Sequence, residues 1–272
     1  MKNNKILISI LVPTYNRVKF LEECLDSIVS QEWFDLKELE LIVSDNSEWD
    51  ETKKFMGKYM EENKGWNIIY NKNRKNLWMV WNWNKLLELK QWDYFIFLSD
   101  DDRFYDENSL RILYDGLLEY KLDACYWIYN IDKDWIITGR FKDHAEKIKE
   151  KDVYLDNFND QLFSHTICFW GVLYKSFWYK YHEWANYWAD WNMNLQYLYG
   201  GKVIWLINKD TFIYRQRDSQ LSNTSTSAIT HLKTMLFNYD YFNISYYLRI
   251  KLIIITEFMG IVYRIKKIVH IW

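Results

Sequence analysis

Apolar positions in the first half of the chain fall into two alternating periods. Ile6 to Val12 is an apolar run interrupted only by Ser9, which predicts a buried strand. Phe20, Leu21, Cys24, Leu25, Ile28 and Val29 then recur at helical spacing and predict an amphipathic helix over about 17–30. Leu39–Ser44 predicts a second strand, residues 50–63 a helix, and Asn67–Tyr70 a third short strand. Behind the polar stretch Asn71–Asn76 a helix is expected over 79–90. Tyr94–Leu98 is a fourth apolar run, followed by a helix from Ser109 to Tyr120 and a strand over Ala124–Tyr129. Strands alternating with helices of this length imply βαβ units and a mainly parallel sheet.

After about residue 130 the pattern loosens. Ile167–Tyr174 predicts a strand, Asp190–Tyr199 a helix, and Val203–Ile207 and Thr211–Tyr214 two short strands. Asp218–Thr230 is rich in Ser and Thr and reads as a mobile loop. No repeat and no uncharged 18-residue span is present, so no transmembrane helix is expected.

Chemistry enters at the end of the fourth run. Asp100, Asp101 and Asp102 follow it directly, and adjacent anions at the end of a buried strand are costly unless a cation offsets them. Oxygen-only ligands suit a hard ion such as Mg²⁺ or Mn²⁺. Open α/β sheets bind ligands at the carboxyl ends of their strands. An acidic loop opening the next helix explains the same triplet without any ligand.

Net charge is −2 over 272 residues, which gives no electrostatic case for nucleic acid. Cys24, Cys125 and Cys168 are scattered, without a zinc-type spacing, and fit a reducing cytoplasm. The run after Lys5 could pass for a short signal peptide. It lacks a small-residue cleavage site and ends in Pro13-Thr14-Tyr15-Asn16, which favours a first strand.

Several segments, in order, resemble the family-2 inverting glycosyltransferases of the GT-A fold. They are Val12-Pro13-Thr14-Tyr15-Asn16-Arg17, Ile42-Val43-Ser44-Asp45-Asn46-Ser47, Asn76-Leu77 with Asn82, Leu98-Ser99-Asp100-Asp101-Asp102, Ala189-Asp190-Trp191, and Tyr214-Arg215 to Leu221-Ser222. The resemblance spans about residues 6–222. It implies a Rossmann-like, mainly parallel α/β sheet flanked by helices. A glycosyltransferase domain is expected over 1–230, with a nucleotide-sugar half (about 1–130) and an irregular acceptor-side half (131–230). A helical tail over 231–272 follows.

The resemblance also implies a reaction. A sugar would pass from a nucleoside-diphosphate sugar, a UDP-sugar first, to a hydroxyl of a glycan or lipid-linked acceptor, in cell-surface polysaccharide or lipid-linked glycan synthesis. It assigns Thr14, Tyr15 and Asp45 to the nucleoside, with Arg74 as a further base contact, and Asp100 to the ribose. Asp101 or Asp102 would ligate Mn²⁺ or Mg²⁺, and Asp190 would be the general base. Many relatives carry a His two residues after the Arg of the closing Tyr-Arg pair, where this chain has Arg217. Arginine cannot ligate a metal but can bind phosphate, so Arg215 and Arg217 are expected to clamp the diphosphate. Each residue also has a plainer role open to it: a strand-end cap for Asp45, a helix cap for Asp190, solvated loop cations for the arginines.

Two rival functions fit part of the pattern: a nucleotide-sugar-binding protein without transfer activity, and a nucleotidyltransferase. The second would normally show a Gly-rich basic signature near the first strand, which Pro13–Arg17 lacks. Tyr246–Trp272 fits either a helix packed on the core or a segment lying on a membrane surface, which would place the protein at the inner face of the membrane.

One compositional feature stands apart. The chain has 16 Trp, 8 Gly and 1 Pro. Trp78, Trp81, Trp92, Trp135 and Trp188 stand where the resemblance leads one to expect glycine. A gene whose UGA codons mean glycine but are read as tryptophan would produce this. Converting every tryptophan would raise glycine from about 3% to about 9%, against a usual ~7%. A protein that is simply rich in aromatic residues is the competing explanation.

Overall fold

The first strand, β1 (Ile8–Thr14), is buried at every position, as a run without polar alternation requires. The computed structural model describes residues 8–32, 38–133, 136–140, 153–156, 171–176, 180–183, 189–216 and 236–244. After β1 come α1 (Val18–Val29), β2 (Leu39–Asp45), α2 (Glu51–Glu62), β3 (Asn67–Lys72), α3 (Met79–Leu89) and β4 (Tyr94–Phe97). Further on lie β5 (Arg103–Phe104), α4 (Ser109–Tyr120), β6 (Ala124–Lys133), β7 (Ile136–Arg140), β8 (Val153–Asp156), β9 (Leu173–Lys175), α5 (Ala189–Tyr199) and β10 (Ile204–Gln216). A helical turn over 236–241 follows.

Among the described residues ten strands form one mixed sheet, ordered β3-β2-β1-β4-β9-β6-β10-β5, with β7 beside β6 and β8 beside β10. Pairings from β3 through β4 are parallel, and the register sets Thr14 beside Asp45. The β4 pairing ends at Leu11↔Phe97, so Pro13 lies beyond it and needs no donor toward that strand. β9 is antiparallel to both β4 and β6, while β6 and β10 are parallel.

Two apolar layers cover the sheet. One gathers Leu21, Leu25 and Ile28 of α1 and Leu110, Leu113 and Leu117 of α4 over Ile10, Val43 and Ile96. The other gathers Val80, Trp83 and Leu86 of α3 and Ala189, Met193 and Tyr197 of α5 over Leu11, Ile42 and Phe97. Gly116 lets α4 lie close on β10, because a Cβ there would run into Ile207 Cδ1.

Two expectations are corrected. Val203–Ile207 and Thr211–Tyr214 are one strand, β10. The polar Asn208-Lys209-Asp210 is absorbed as a bulge rather than a turn, with register shifts against β6 between Ile207 and Phe212. Of the strand expected over 167–174, only Leu173 and Tyr174 fall in β9; Gly171 and Val172 precede it as turn and irregular chain, and residues 167–170 lie outside the described set. Short β5, β7 and β8 have no counterpart in the sequence pattern. The 218–230 loop and residues 245–272 of the tail lie outside the described residues. Among the described residues, no helix is long and apolar enough to cross a membrane.

Candidate active site

The strand ends of β1, β2 and β4 bring Thr14, Asp45 and Asp100–Asp102 to one edge of the sheet. All five are buried. Thr14 Oγ1 donates to Asp100 Oδ2 at 2.7 Å. Arg17, just before α1, faces two members of the triplet at once: Nη2 lies 2.6 Å from Asp100 Oδ1 and Nη1 lies 2.6 Å from Asp101 Oδ2. Ser99 Oγ donates to Asp101 Oδ1. Burial raises Asp100 to about 6, against the opposing pull of Arg17. Burial also works against the charge on Arg17, but the carboxylates outweigh it and raise its pKa.

Asp102 differs from its neighbours. Its Oδ1 accepts the Arg215 backbone N–H at 2.8 Å, whereas Oδ2 is buried without a hydrogen-bond partner. Burial, reinforced by the Asp101 charge, holds this carboxyl well above the usual range. An orphaned anionic oxygen is costly, and a hard divalent cation is the group whose chemistry satisfies it. Among the described residues no three His, Cys, Asp or Glu side chains form a ready-made cage. A cation here would therefore rely on one or two carboxylates together with phosphate oxygens, the pattern Mg²⁺ favours. Asp101, with both oxygens engaged by Ser99 and Arg17, fits direct ligation less well than Asp102.

Asp45 closes the neighbouring strand end. Its Oδ1 accepts Ser47 N–H at 2.6 Å in an Asx-turn, and its Oδ2 accepts Tyr70 Oη at 2.6 Å and Lys72 Nζ at 3.1 Å. An asparagine network fixes the loop beside it. Asn82 Nδ2 donates to the Ser44 carbonyl at 3.0 Å, and Asn73 Nδ2 donates to Asn46 Oδ1 and Asn82 Oδ1, both at 2.8 Å. This gives Asn82 of the Asn76-Leu77 segment a structural role: it ties α3 to the end of β2. Tyr15, after β1, is partly exposed and donates to Glu48 Oε1 at 3.0 Å, and Arg74 is exposed in the loop between β3 and α3.

Asp190 lies in the first turn of α5, near enough to Tyr181 for its charge to help raise that phenol, after burial. Tyr181 in turn packs edge-on against Phe97, two residues before Ser99. Ala189 at the helix start packs in the same apolar layer as Phe97 and α3.

Arg215, expected to help clamp the diphosphate, has its guanidinium among protein partners. Its guanidinium is only 4% exposed, pairs with Glu23, lies 3.9 Å from Asp132 Oδ2 and sits over the Phe20 ring. Its backbone N–H reaches the triplet, donating to Asp102 Oδ1. Arg103 and Arg215 both converge on buried Asp132. Arg217 lies outside the described residues. Sequence reasoning passed over Arg17 as a site residue, although a cation three residues past the end of a strand that faces a carboxylate triplet was the signal available.

Comparison with known proteins follows the same outline. The family model described as glycosyl transferase family 2 matches residues 9–181. The abequosyltransferase RfbV of Salmonella typhimurium is 41% identical over 109 residues, covering 40% of this chain and 32% of that protein. The GalNAc(5)-diNAcBac-PP-undecaprenol beta-1,3-glucosyltransferase of Campylobacter jejuni is 28% identical over 168 residues, covering 58% of this chain and 50% of that protein. The chain thus spans about a third to a half of the length of these relatives. S. aureus TarS 1-349, solved in complex with UDP-GlcNAc, aligns with a TM-score of 0.66 at 14% identity, covering 91% of this chain and 70% of that one. The mannosyltransferase PcManGT from Pyrobaculum calidifontis, solved with GDP-Man and Mn2+, aligns with a TM-score of 0.62 at 13% identity, covering 88% and 64%. These likenesses establish the GT-A fold. With the family model matching from β1 past β9, the chain belongs to glycosyl transferase family 2.

Proposed function

We propose that this protein transfers a sugar from a nucleoside-diphosphate sugar to an acceptor hydroxyl with inversion at the anomeric carbon. The observation that carries this reading is the buried, orphaned Asp102 Oδ2 beside the Arg17-paired Asp100 and Asp101, at the carboxyl ends of β1 and β4. A divalent ion, Mn²⁺ or Mg²⁺, held by Asp102 with Asp101 close by, would neutralise charge on the leaving diphosphate. Thr14, Tyr15, Asp45 and Arg74 hold the nucleoside, and Asp100 meets the ribose. Arg217 contributes phosphate charge, while Arg215 acts through its backbone by orienting Asp102.

Asp190 takes the proton from the acceptor hydroxyl. The freed oxygen pair forms the new bond to the anomeric carbon as the bond from that carbon to the diphosphate oxygen breaks. The electron pair leaves with the nucleoside diphosphate, and a single displacement inverts the centre. A UDP-sugar donor is supported by the UDP-GlcNAc complex of a structural neighbour, and a lipid-linked or polysaccharide acceptor by the names of the relatives.

A panel of UDP-, GDP-, dTDP- and CDP-sugars with Mn²⁺ tests this. Release of free nucleoside diphosphate by the wild type, lost in Asp190→Asn, is the expected result. Pyrophosphate release would mark a nucleotidyltransferase, and binding without turnover in the presence of candidate glycan acceptors would favour a binding protein.

A further inference from the structure

Residue 78 holds a backbone conformation that tryptophan seldom adopts. Its φ is 64° and its ψ 169°, a region that is almost exclusively glycine's because a Cβ there is strained. The surroundings impose this conformation. Trp78 N–H donates to Asn76 Oδ1 at 2.8 Å. Its carbonyl accepts Asn82 N–H at 3.1 Å and the Asn46 amide at 3.3 Å. Leu77 N–H is tied to Asn46 Oδ1 at 3.2 Å. Rotating residue 78 into a region suited to tryptophan would break the first hydrogen bond of α3 and free the loop from Asn46. The indole itself is 77% exposed and offsets little of that strain through burial.

Other tryptophans behave differently. Trp83 and Trp191 are 5% and 1% exposed, and the Trp83 ring lies 5.1 Å from Tyr181 and 6.4 Å from Phe97 between centroids. These are integral core residues. The chain as a whole is poor in glycine, with 8 against 16 tryptophans.

We propose that residue 78 is glycine in the protein as its own cell makes it, the codon being a UGA that the source's genetic code reads as glycine and the translated sequence as tryptophan. A glycine at this position relieves the turn without altering the hydrogen bonds that hold it. It also removes an indole from the loop pinned to Asn46, one residue past Asp45. The inference stands on backbone geometry and does not depend on the proposed activity.

The gene tests it directly. The expected result is UGA at codon 78 with UGG at codons 83 and 191. UGG at codon 78 overturns the proposal, and so does UGA at codon 83 or 191, because UGA would then be encoding packed, genuine tryptophan. The purified chain gives an independent readout. Trp78→Gly should unfold about 2–8 °C above Trp78→Ala, since alanine keeps a Cβ in the strained turn. Equal midpoints for the two variants would remove the conformational ground for the proposal.

Discussion

β1–β4 and β6–β10 share one sheet but reach their partners by different routes. In the first group each strand pairs in parallel with a neighbour reached through a helix, and the polar residues that end each strand land on one edge. In the second, β9 inserts between β4 and β6, and β10 runs parallel to β6 but antiparallel to β5 and β8. The first group supplies the carboxylates with their local partners: Thr14 and Arg17 for Asp100, Ser99 for Asp101, Tyr70 and Lys72 for Asp45. The second reaches the triplet through the Arg215 N–H to Asp102 and carries Asp190, the proposed base, in the first turn of α5. Under the proposed function, nucleotide binding falls to the regular half and acceptor activation to the irregular one.

Separating those two roles by mutation gives the largest expected effect. Asp190→Asn should cut turnover by about 10²–10⁴-fold while leaving UDP affinity unchanged. An equal loss in UDP affinity would collapse the division between the halves. Stability provides the next contrast. Phe97 of β4 and Phe212 of β10 are both buried, so alanine at either should cost about 3–5 kcal/mol. Both variants should still unfold in one transition, because the sheet is continuous. A two-step melt in Phe212→Ala alone would show the halves to be separate units.

Acid titration tests the electrostatics of the regular half. Asp100 is raised to about 6 in the folded protein, above its unfolded value of about 3.9. Its protonated form therefore favours folding below about pH 4, and that contribution is lost as pH rises through 6. Asp100→Asn, which cannot ionise, should gain stability relative to wild type between pH 4 and pH 7. A difference that stays flat with pH would mean Arg17 fully offsets the buried charge. The smallest effect is expected at Tyr70→Phe, which removes one hydrogen bond to Asp45 and should cost about 0.5–1.5 kcal/mol. UDP affinity is the companion measurement, since a loosened Asp45 should weaken it.

The regular half was legible because its signals are local. β2, α3 and α4 begin or end within a residue of the sequence pattern, since apolar period and turn residues suffice to place them. The edge that gathers Thr14, Asp45 and the triplet follows from parallel strands ending together. β5 and β8 are not legible because pairing with the distant β10, not their own periodicity, makes them strands. The same limit applies to the arginines. Nothing near Arg215 in sequence reveals that Glu23 and Asp132 would claim its guanidinium. Arg17 was readable as part of a motif, yet its pairing with Asp100 and Asp101 depends on how β1 and β4 align in register. Which triplet oxygen lacks a partner is likewise a property of the folded site, set by the Arg215 N–H 113 positions away.

Asp102 is proposed to hold a divalent ion against a nucleoside diphosphate. Calorimetric titration of UDP into wild type and Asp102→Asn, with and without Mn²⁺, measures it most directly. Mn²⁺ should tighten UDP binding by roughly tenfold or more in the wild type, a gain of about 1.4 kcal/mol, and leave Asp102→Asn unchanged. The same Mn²⁺ enhancement in both proteins, or none in the wild type, would contradict the account.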